Sequence, residues 1–187
     1  GADITANFRP GTMAISIGML LSALAMTWHL VHFHYVKFNK ESMYEVSKKI
    51  ILLCIPLLLS AQFIAGILNE ALDLTDTNQE LFISMSHNIF GVLSIAIVVP
   101  ILEEVLFRGA IEGHLLRKGW SPKWAILVSA LIFGIIHGNP AQIPFAFLIG
   151  LLFGWLYYRT GSLVPGIVGH IINNSFGAWT MFTATRE

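Results

Sequence analysis

The chain has 187 residues, of which 55% are hydrophobic and 12% charged, and its mean hydropathy is +0.70. Soluble domains carry about 25% charged residues, so this composition excludes an ordinary soluble domain and predicts an integral protein of the lipid bilayer. Eleven basic and eleven acidic residues cancel, which excludes the strongly basic surface that a nucleic-acid partner would need.

Apolar runs at about 13–36, 50–69, 89–111, 123–137, 142–158 and 163–182 predict six transmembrane helices, the fourth and fifth of them short. The expected fold class is an all-α, polytopic membrane helix bundle with its active site in the C-terminal four helices. Ala23-Leu-Ala25 resembles a signal-cleavage site, but the first run is too long for a signal core, so we expect a retained span. We expect residues 1–12 to be a tag or disordered, and 13–187 to form a single transmembrane domain with a core at about 88–182.

The connections between the runs carry start and stop signals. Residues 39–42 are expected to cap the second helix, residues 69–79 read as a polar, acidic loop, and Ser121-Pro122 marks the start of the fourth helix. A third helix that starts at Asn88 would place Glu103 and His137 at different depths. We therefore expect this helix to run from about Val92 to Arg117, which lifts Glu103 toward mid-depth.

Charge in the connections predicts an orientation. The basic residues fall in connections that six alternating crossings place on one side, which the positive-inside rule makes cytoplasmic; they are Lys37, Lys40, Lys48, Lys49, Arg117, Lys118, Lys123 and Arg159. The opposite connection holds Glu70, Asp73, Asp76 and Glu80, so both termini are expected to face outward. Cys54 is the one cysteine, which excludes an internal disulfide and favours a small buried hydrophobe.

Polar residues interrupt three of the apolar runs. They are Glu103, Glu104 and Arg108 in the third, His137 at the end of the fourth, and His170 and Asn174 in the last. Ionisable groups at bilayer depth are costly and usually mark a functional site, so these residues predict one buried reaction centre. The alternative is that they are polar contacts that hold helices together.

Helical spacing assigns roles within this set. Glu104 and Arg108 are four residues apart and can pair, which leaves Glu103, turned away by roughly 100°, as a candidate general base. His170 and Asn174 share a face and can present two hydrogen-bond donors to an oxyanion.

Other polar, aromatic and small residues are expected to have packing roles, and one cluster is open to two interpretations. Pro100 should leave the carbonyl near Ala96 without a donor and kink the helix. Phe133 should pack beside His137, Asn173 should form a hydrogen bond between helices, and Gly150 and Gly154 should allow close helix packing. A further cluster near the end of the first helix comprises His29, His32 and His34 with Trp28 and Tyr35. It is either a metal site or an aromatic cluster at the membrane interface.

Missing motifs narrow the chemistry. The sequence contains no H-E-x-x-H zinc motif, no aspartate within a predicted span and no G-x-S-x-G elbow. These absences exclude an aspartyl dyad and disfavour a serine or cysteine nucleophile. Water is therefore the expected attacking group.

The chain resembles the CPBP family, the CAAX-protease and bacteriocin-processing proteins also called Abi. The resemblance covers about Ile97 to Gly177 and rests on three motifs. These are E-E-x-x-x-R at Glu103 to Arg108, F-x-x-x-H at Phe133 to His137, and H-x-x-x-N at His170 to Asn174. It implies an intramembrane endopeptidase in which Glu103 and His137 activate water, His170 and Asn174 hold the oxyanion, and Arg108 orients Glu104.

The resemblance implies two catalytic types, because the family has been described both as metalloproteases and as metal-free glutamate enzymes. Either no cofactor is needed, or one divalent metal such as zinc is bound by Glu103, His137 and His170 with water in the fourth position. The paired donors of His170 and Asn174 favour direct activation of water.

The implied partner is a hydrophobic or lipidated peptide, such as a prenylated CAAX protein or a leader peptide. The small size favours a prokaryotic cell membrane. The rival interpretation is a non-catalytic membrane immunity or scaffold protein of the same family. A small transporter or channel ranks below both, since the chain lacks detectable repeats.

Overall fold

The structure is a computed structural model that describes residues 11–36, 43 and 47–184. This described part is mostly helical and contains no strand. Its seven helices are α1 (Thr12–His32), α2 (Lys48–Ala71), α3 (Gln79–Ser86), α4 (Ile89–Arg117), α5 (Pro122–Ile136), α6 (Ile143–Thr160) and α7 (Val164–Ala184).

Four of these helices, α1, α2, α4 and α6, are long and apolar enough to cross a membrane. Helix α5 is apolar but has only 15 residues. Helix α7 has 21 residues, but polar residues such as His170 and Asn174 lower its mean hydropathy. The chain is thus a multi-pass integral membrane protein, and the predicted all-α membrane helix bundle is confirmed.

The six predicted helices all occur, with bounds shifted by a few residues, and Ser121 and Pro122 begin α5 as expected. The expected start of the third helix at Val92 is wrong. Helix α4 starts at Ile89 because the Asn88 side chain caps it, accepting a hydrogen bond of 2.7 Å from the Gly91 amide. Helix α3 was not predicted: the predicted loop, 69–79, ends where this helix begins, and its eight residues are too few to show a clear period.

Some sequence expectations lie outside the described residues. These are the assignment of residues 1–10, the cap at 39–42, and the positions of Lys37 and Lys40. The orientation in the membrane and the single-domain boundaries remain predictions.

Helix α4 contains two π-helical segments, Ser94–Val98 and Val105–Glu112. In a π-helix each amide bonds the carbonyl five residues earlier, as Val99 does with Ser94. Pro100 has no amide hydrogen, so in this register the carbonyl left without a backbone donor is that of Ile95, beside Ala96. The Asn174 side chain on α7 donates to the Ile95 oxygen at 3.0 Å instead.

Helix α4 contacts α1, α3, α5, α6 and α7, and helix α7 contacts α2, α3, α4 and α6. Helices α5 and α6 pack closely at Gly150, where an added Cβ would lie 3.0 Å from that of Ala130, as the small-residue pattern predicted. Cys54 is buried in the apolar core, as expected. Large exposed apolar side chains are most numerous on α2, and α1 and α5 also carry several, so these helices offer lipid-facing surface.

Candidate active site

Glu104 on α4 joins two helices and is fully buried. One of its oxygens, Oε1, lies 3.0 Å from Nδ1 of His170 on α7 and 3.1 Å from Nη1 of Arg108. The predicted pairing of Glu104 with Arg108 is therefore confirmed, as an ion pair without the alignment of a hydrogen bond. The same carboxylate fixes the His170 ring, so the first and third sequence motifs meet at one oxygen.

Gly166 makes room for the Glu104 side chain. It lies one turn before His170 on α7, and a Cβ at this position would be 2.5 Å from Glu104 Oε2. Because a normal carbon contact starts near 3.4 Å, no larger residue fits here unless the carboxylate moves. A residue without a side chain on α7 thus sets the position of an acid on α4.

Arg108 is held between two aromatic rings. Its Cζ atom lies 4.6 Å from the ring centroid of Phe133 and 5.6 Å from that of Phe153, distances at which a cation is attracted to the face of an aromatic ring. Nη2 donates a hydrogen bond of 3.3 Å to the carbonyl of Gly150 on α6. Arg108 therefore ties α4 to α5 and α6 and offers Glu104 a fixed positive partner.

Glu103 lies on the other side of the His170 ring. Its Oε2 atom is 3.5 Å from His170 Nε2, and its side chain is 16% exposed, whereas that of Glu104 is 1% exposed. Helical geometry had suggested that Glu103 would have no partner. In the structure the His170 ring contacts both acids, so Glu103 has one. It is nevertheless the more accessible of the two acids.

His137 reaches the site beside Phe133. Its Nδ1 atom lies 2.8 Å from the Phe133 carbonyl and must be the donor, because a carbonyl only accepts. In the neutral ring Nε2 is then the acceptor, which is the form that a general base requires. His137 and His170 both meet the Phe133 ring edge to face, at centroid distances of 4.9 and 5.8 Å, and His137 interacts electrostatically with Glu103.

Asn174 lies one turn beyond His170, and one of its amide hydrogens is used by the Ile95 carbonyl. Its side-chain oxygen accepts a hydrogen bond of 3.0 Å from Asn173. Asn173 therefore bonds within its own helix, and its expected hydrogen bond between helices is wrong. The described contacts join Glu103, Glu104, Arg108 and His170 directly, and they place His137 and Asn174 at the edges of this group.

Three residues near this group were not assigned to the site from the sequence. Phe153 covers the second face of Arg108, and Ser129 donates to the Phe107 carbonyl at 2.9 Å. Glu112 is fully buried, and neither of its oxygens has a hydrogen-bond partner among the described residues. Its spacing of four residues from Arg108 was a usable signal, because the two interact electrostatically.

The metal alternative can be tested on the donor geometry. Within residues 11–36, 43 and 47–184, no three His, Cys, Asp or Glu side chains form a group that could hold a metal ion. His170 faces Glu103 with Nε2 and is held by Glu104 at Nδ1, an arrangement also found where a carboxylate orients a metal-ligating histidine, so the catalytic type stays a prediction. The histidines at the end of α1 fit the aromatic cluster: His32 stacks on Trp28 at 4.8 Å and His29 on Tyr35 at 5.9 Å.

Comparison with known proteins agrees with the motifs. A family model described as type II CAAX prenyl endopeptidase Rce1-like matches residues 85–176. The "Putative membrane peptidase YdiL" of Bacillus subtilis is 38% identical over 43% of this chain and 33% of its own length. The "Membrane-embedded CAAX protease MroQ" of Staphylococcus aureus is 33% identical over 54% of this chain and 42% of its own length.

A third relative, the "UPF0177 protein YxdF" of Lactococcus lactis, is 28% identical over 65% of this chain and 63% of its own length. The chain therefore spans between a third and two thirds of the length of these curated relatives. No solved structure matches it. The bacterial relatives agree with the predicted prokaryotic membrane location. The matched segment, 85–176, contains all three motifs, so over this segment the chain is similar to CAAX-type membrane proteases.

Proposed function

We propose that this protein is an intramembrane endopeptidase in which side chains activate water to cleave a peptide bond. The observation that carries the proposal is the convergence of Glu103, Glu104, Arg108 and His170 from two helices more than sixty residues apart in sequence. Contacts of 3.0 to 3.5 Å join Glu104 to Arg108, and His170 to both acids. Buried charge of this density is costly, and it recurs where proteins do chemistry.

The first step is the attack of water on the carbonyl carbon. Glu103 accepts one water proton, assisted by the acceptor nitrogen Nε2 of His137, while the water oxygen forms the new bond to carbon. The carbonyl π electrons move to oxygen and give a tetrahedral oxyanion. When this intermediate collapses, the carbon–nitrogen bond breaks and the proton held by Glu103 passes to the leaving amine, which releases an acid and an amine.

The oxyanion is held by donors on α7. His170 Nε2 faces the Glu103 side of the ring, and Asn174 has a second amide hydrogen beyond the one bonded to Ile95. For Nε2 to donate while Nδ1 also donates to Glu104, the ring must carry protons on both nitrogens. Glu104, held by Arg108, supports that form and keeps the ring in place.

The proposed substrate is a membrane-associated peptide that is hydrophobic or lipidated. Relatives with CAAX in their names suggest a prenylated C-terminal peptide, and a leader peptide is the second substrate of this class. The apolar exterior of α1 and α2 suits a substrate that arrives through the bilayer.

Purified protein in detergent should cleave a fluorogenic prenylated peptide. Glu103→Gln and His137→Ala should each lower kcat by about 10²- to 10⁴-fold, the usual contribution of a general base. Glu70→Gln and His32→Ala make the same chemical changes at exposed positions and serve as controls. Unchanged turnover in the two site variants would remove the assigned roles, and unchanged partner binding without any turnover would favour a scaffold.

A further inference from the structure

The turn that follows His137 is tied to the loop between α2 and α3. Asn139 is fully buried, and its Nδ2 donates to Oδ1 of Asp76 at 2.7 Å. Its own Oδ1 accepts from the Thr77 amide at 3.2 Å. We name this set, Asn139 with Asp76 and Thr77, the Asn139 latch.

Neighbouring contacts hold both halves of the latch. Asp76 Oδ1 also accepts from the Asn78 amide at 3.0 Å, which fixes the loop before α3. On the other side, Asn69 at the end of α2 donates to the Ala141 carbonyl at 2.8 Å. The turn after His137 is thus bound to two separate segments of the chain.

The backbone of this turn depends on Asn139 as well. Gly138 adopts a left-handed conformation with φ of +59°, which reverses the chain directly after His137. The Asn139 carbonyl then accepts hydrogen bonds from the amides of Gln142 and Ile143 at 2.9 and 3.2 Å, which start α6. Asn139 therefore joins the end of α5, the start of α6 and the acidic loop.

His137 is the residue between helix α5 and this turn. On its N-terminal side it is held by α5 and by the bond from Nδ1 to the Phe133 carbonyl. On its C-terminal side the first fixed side chain is Asn139, two residues away. We propose that Asn139 is a positioning residue that acts through the Asn139 latch to hold His137 at the active site, an inference that rests on the proposed function.

The test uses variants of the full chain in detergent. Asn139→Ala should lower kcat for the prenylated peptide by about 10- to 100-fold with KM unchanged, because displacement of a catalytic group by about 1 Å costs up to 10²-fold. Asn78→Ala is the matched control: this residue joins the network through its backbone amide, which alanine keeps, and its side chain makes no cap hydrogen bond.

Exchange of the partners gives a rescue experiment. Asn139→Asp alone places a carboxylate against Asp76 and should reduce kcat. Asn139→Asp combined with Asp76→Asn again sets a donor against an acceptor between these two side chains, at the expense of the bond from the Asn78 amide, and should recover part of the activity. A residue that served stability alone would change the unfolding temperature and leave kcat of the folded protein intact. If Asn139→Ala does not fold, this exchange pair still tests the proposal.

Histidine ring NMR provides a readout that needs no activity. With ¹³C-labelled histidine, the resonance assigned to His137 by its loss in His137→Ala should shift in Asn139→Ala and return in the exchange pair. An unchanged resonance together with unchanged kcat in folded Asn139→Ala overturns the inference. A shifted resonance in a protein that cleaves no peptide supports the positioning of His137 and instead removes the proposed function.

Discussion

Substitution of Gly166 by alanine tests whether the position of Glu104 controls the site. The new Cβ would lie 2.5 Å from Glu104 Oε2 and 3.2 Å from its Cδ. Reaching an ordinary contact of 3.4 Å requires a displacement of about 0.9 Å. The carboxylate cannot move that far without lengthening its contacts of 3.0 Å to His170 and 3.1 Å to Arg108.

The expected loss follows from that displacement. A shift of about 1 Å at a catalytic group can cost up to 10²-fold in rate, and overpacking a filled site costs about 1 to 3 kcal/mol of stability. We therefore expect Gly166→Ala to lower kcat by about 10- to 100-fold and to lower the unfolding temperature. Turnover of a prenylated fluorogenic peptide and thermal unfolding in detergent measure the two effects.

Gly177→Ala is the matched control on the same helix. A Cβ at Gly177 meets no atom within 4 Å, and replacing a helix-interior glycine by alanine gains about 0.5 to 1 kcal/mol of helix propensity at either position. The difference between the two variants therefore isolates the contact with Glu104. If Gly166→Ala turns over substrate as fast as Gly177→Ala, Glu104 does not need the position described above and the reasoning is refuted.

Three further outcomes concern buried polar groups. Asn174→Ala should destabilise the protein by about 1 to 3 kcal/mol, because it leaves the Ile95 carbonyl without a donor. Adding Pro100→Ala should reduce that loss, because alanine supplies an amide hydrogen. Equal unfolding temperatures in the single and double variants would contradict this. Gly154→Ala should also destabilise, since its Cβ would lie 2.7 Å from Glu112 Oε2, and the loss should shrink in a Glu112→Ala background; strictly additive unfolding free energies would argue against the contact. Glu112→Leu should unfold at a higher temperature than the unchanged chain, because it removes two buried oxygens that lack hydrogen bonds among the described residues; a lower temperature would indicate a partner for this side chain.

Much of the fold follows from hydropathy, because apolar runs of about 20 residues leave few alternatives in a bilayer. The pairing of Glu104 with Arg108 also follows from sequence, since a spacing of four residues fixes neighbours on one helix. Contacts between helices do not follow in this way. That His170 would lie between both acids, and that Arg108 would lie between Phe133 and Phe153, depends on how α4, α5, α6 and α7 cross.

The expected start of the third helix at about Val92, which rested on the depths of Glu103 and His137, was wrong for a related reason. That expectation treated α4 as a regular helix of fixed rise per residue, whereas π-helical segments lie on both sides of the Glu103-Glu104 pair. Such segments change which residues share a face, and a local hydropathy pattern does not reveal them. The role of Asn174 at the Ile95 carbonyl was hidden by the same irregularity, because only the π-helical register leaves that carbonyl facing Pro100.

The placement of Arg108 has a consequence for mutagenesis screens. One guanidinium both orients an acid of the site and connects three helices, so its loss would disable turnover and loosen the assembly together. A screen that scores activity alone would enrich substitutions here without separating the two causes. Measuring the extracted, folded yield of each inactive clone beside its residual hydrolysis would sort defects in chemistry from defects in assembly.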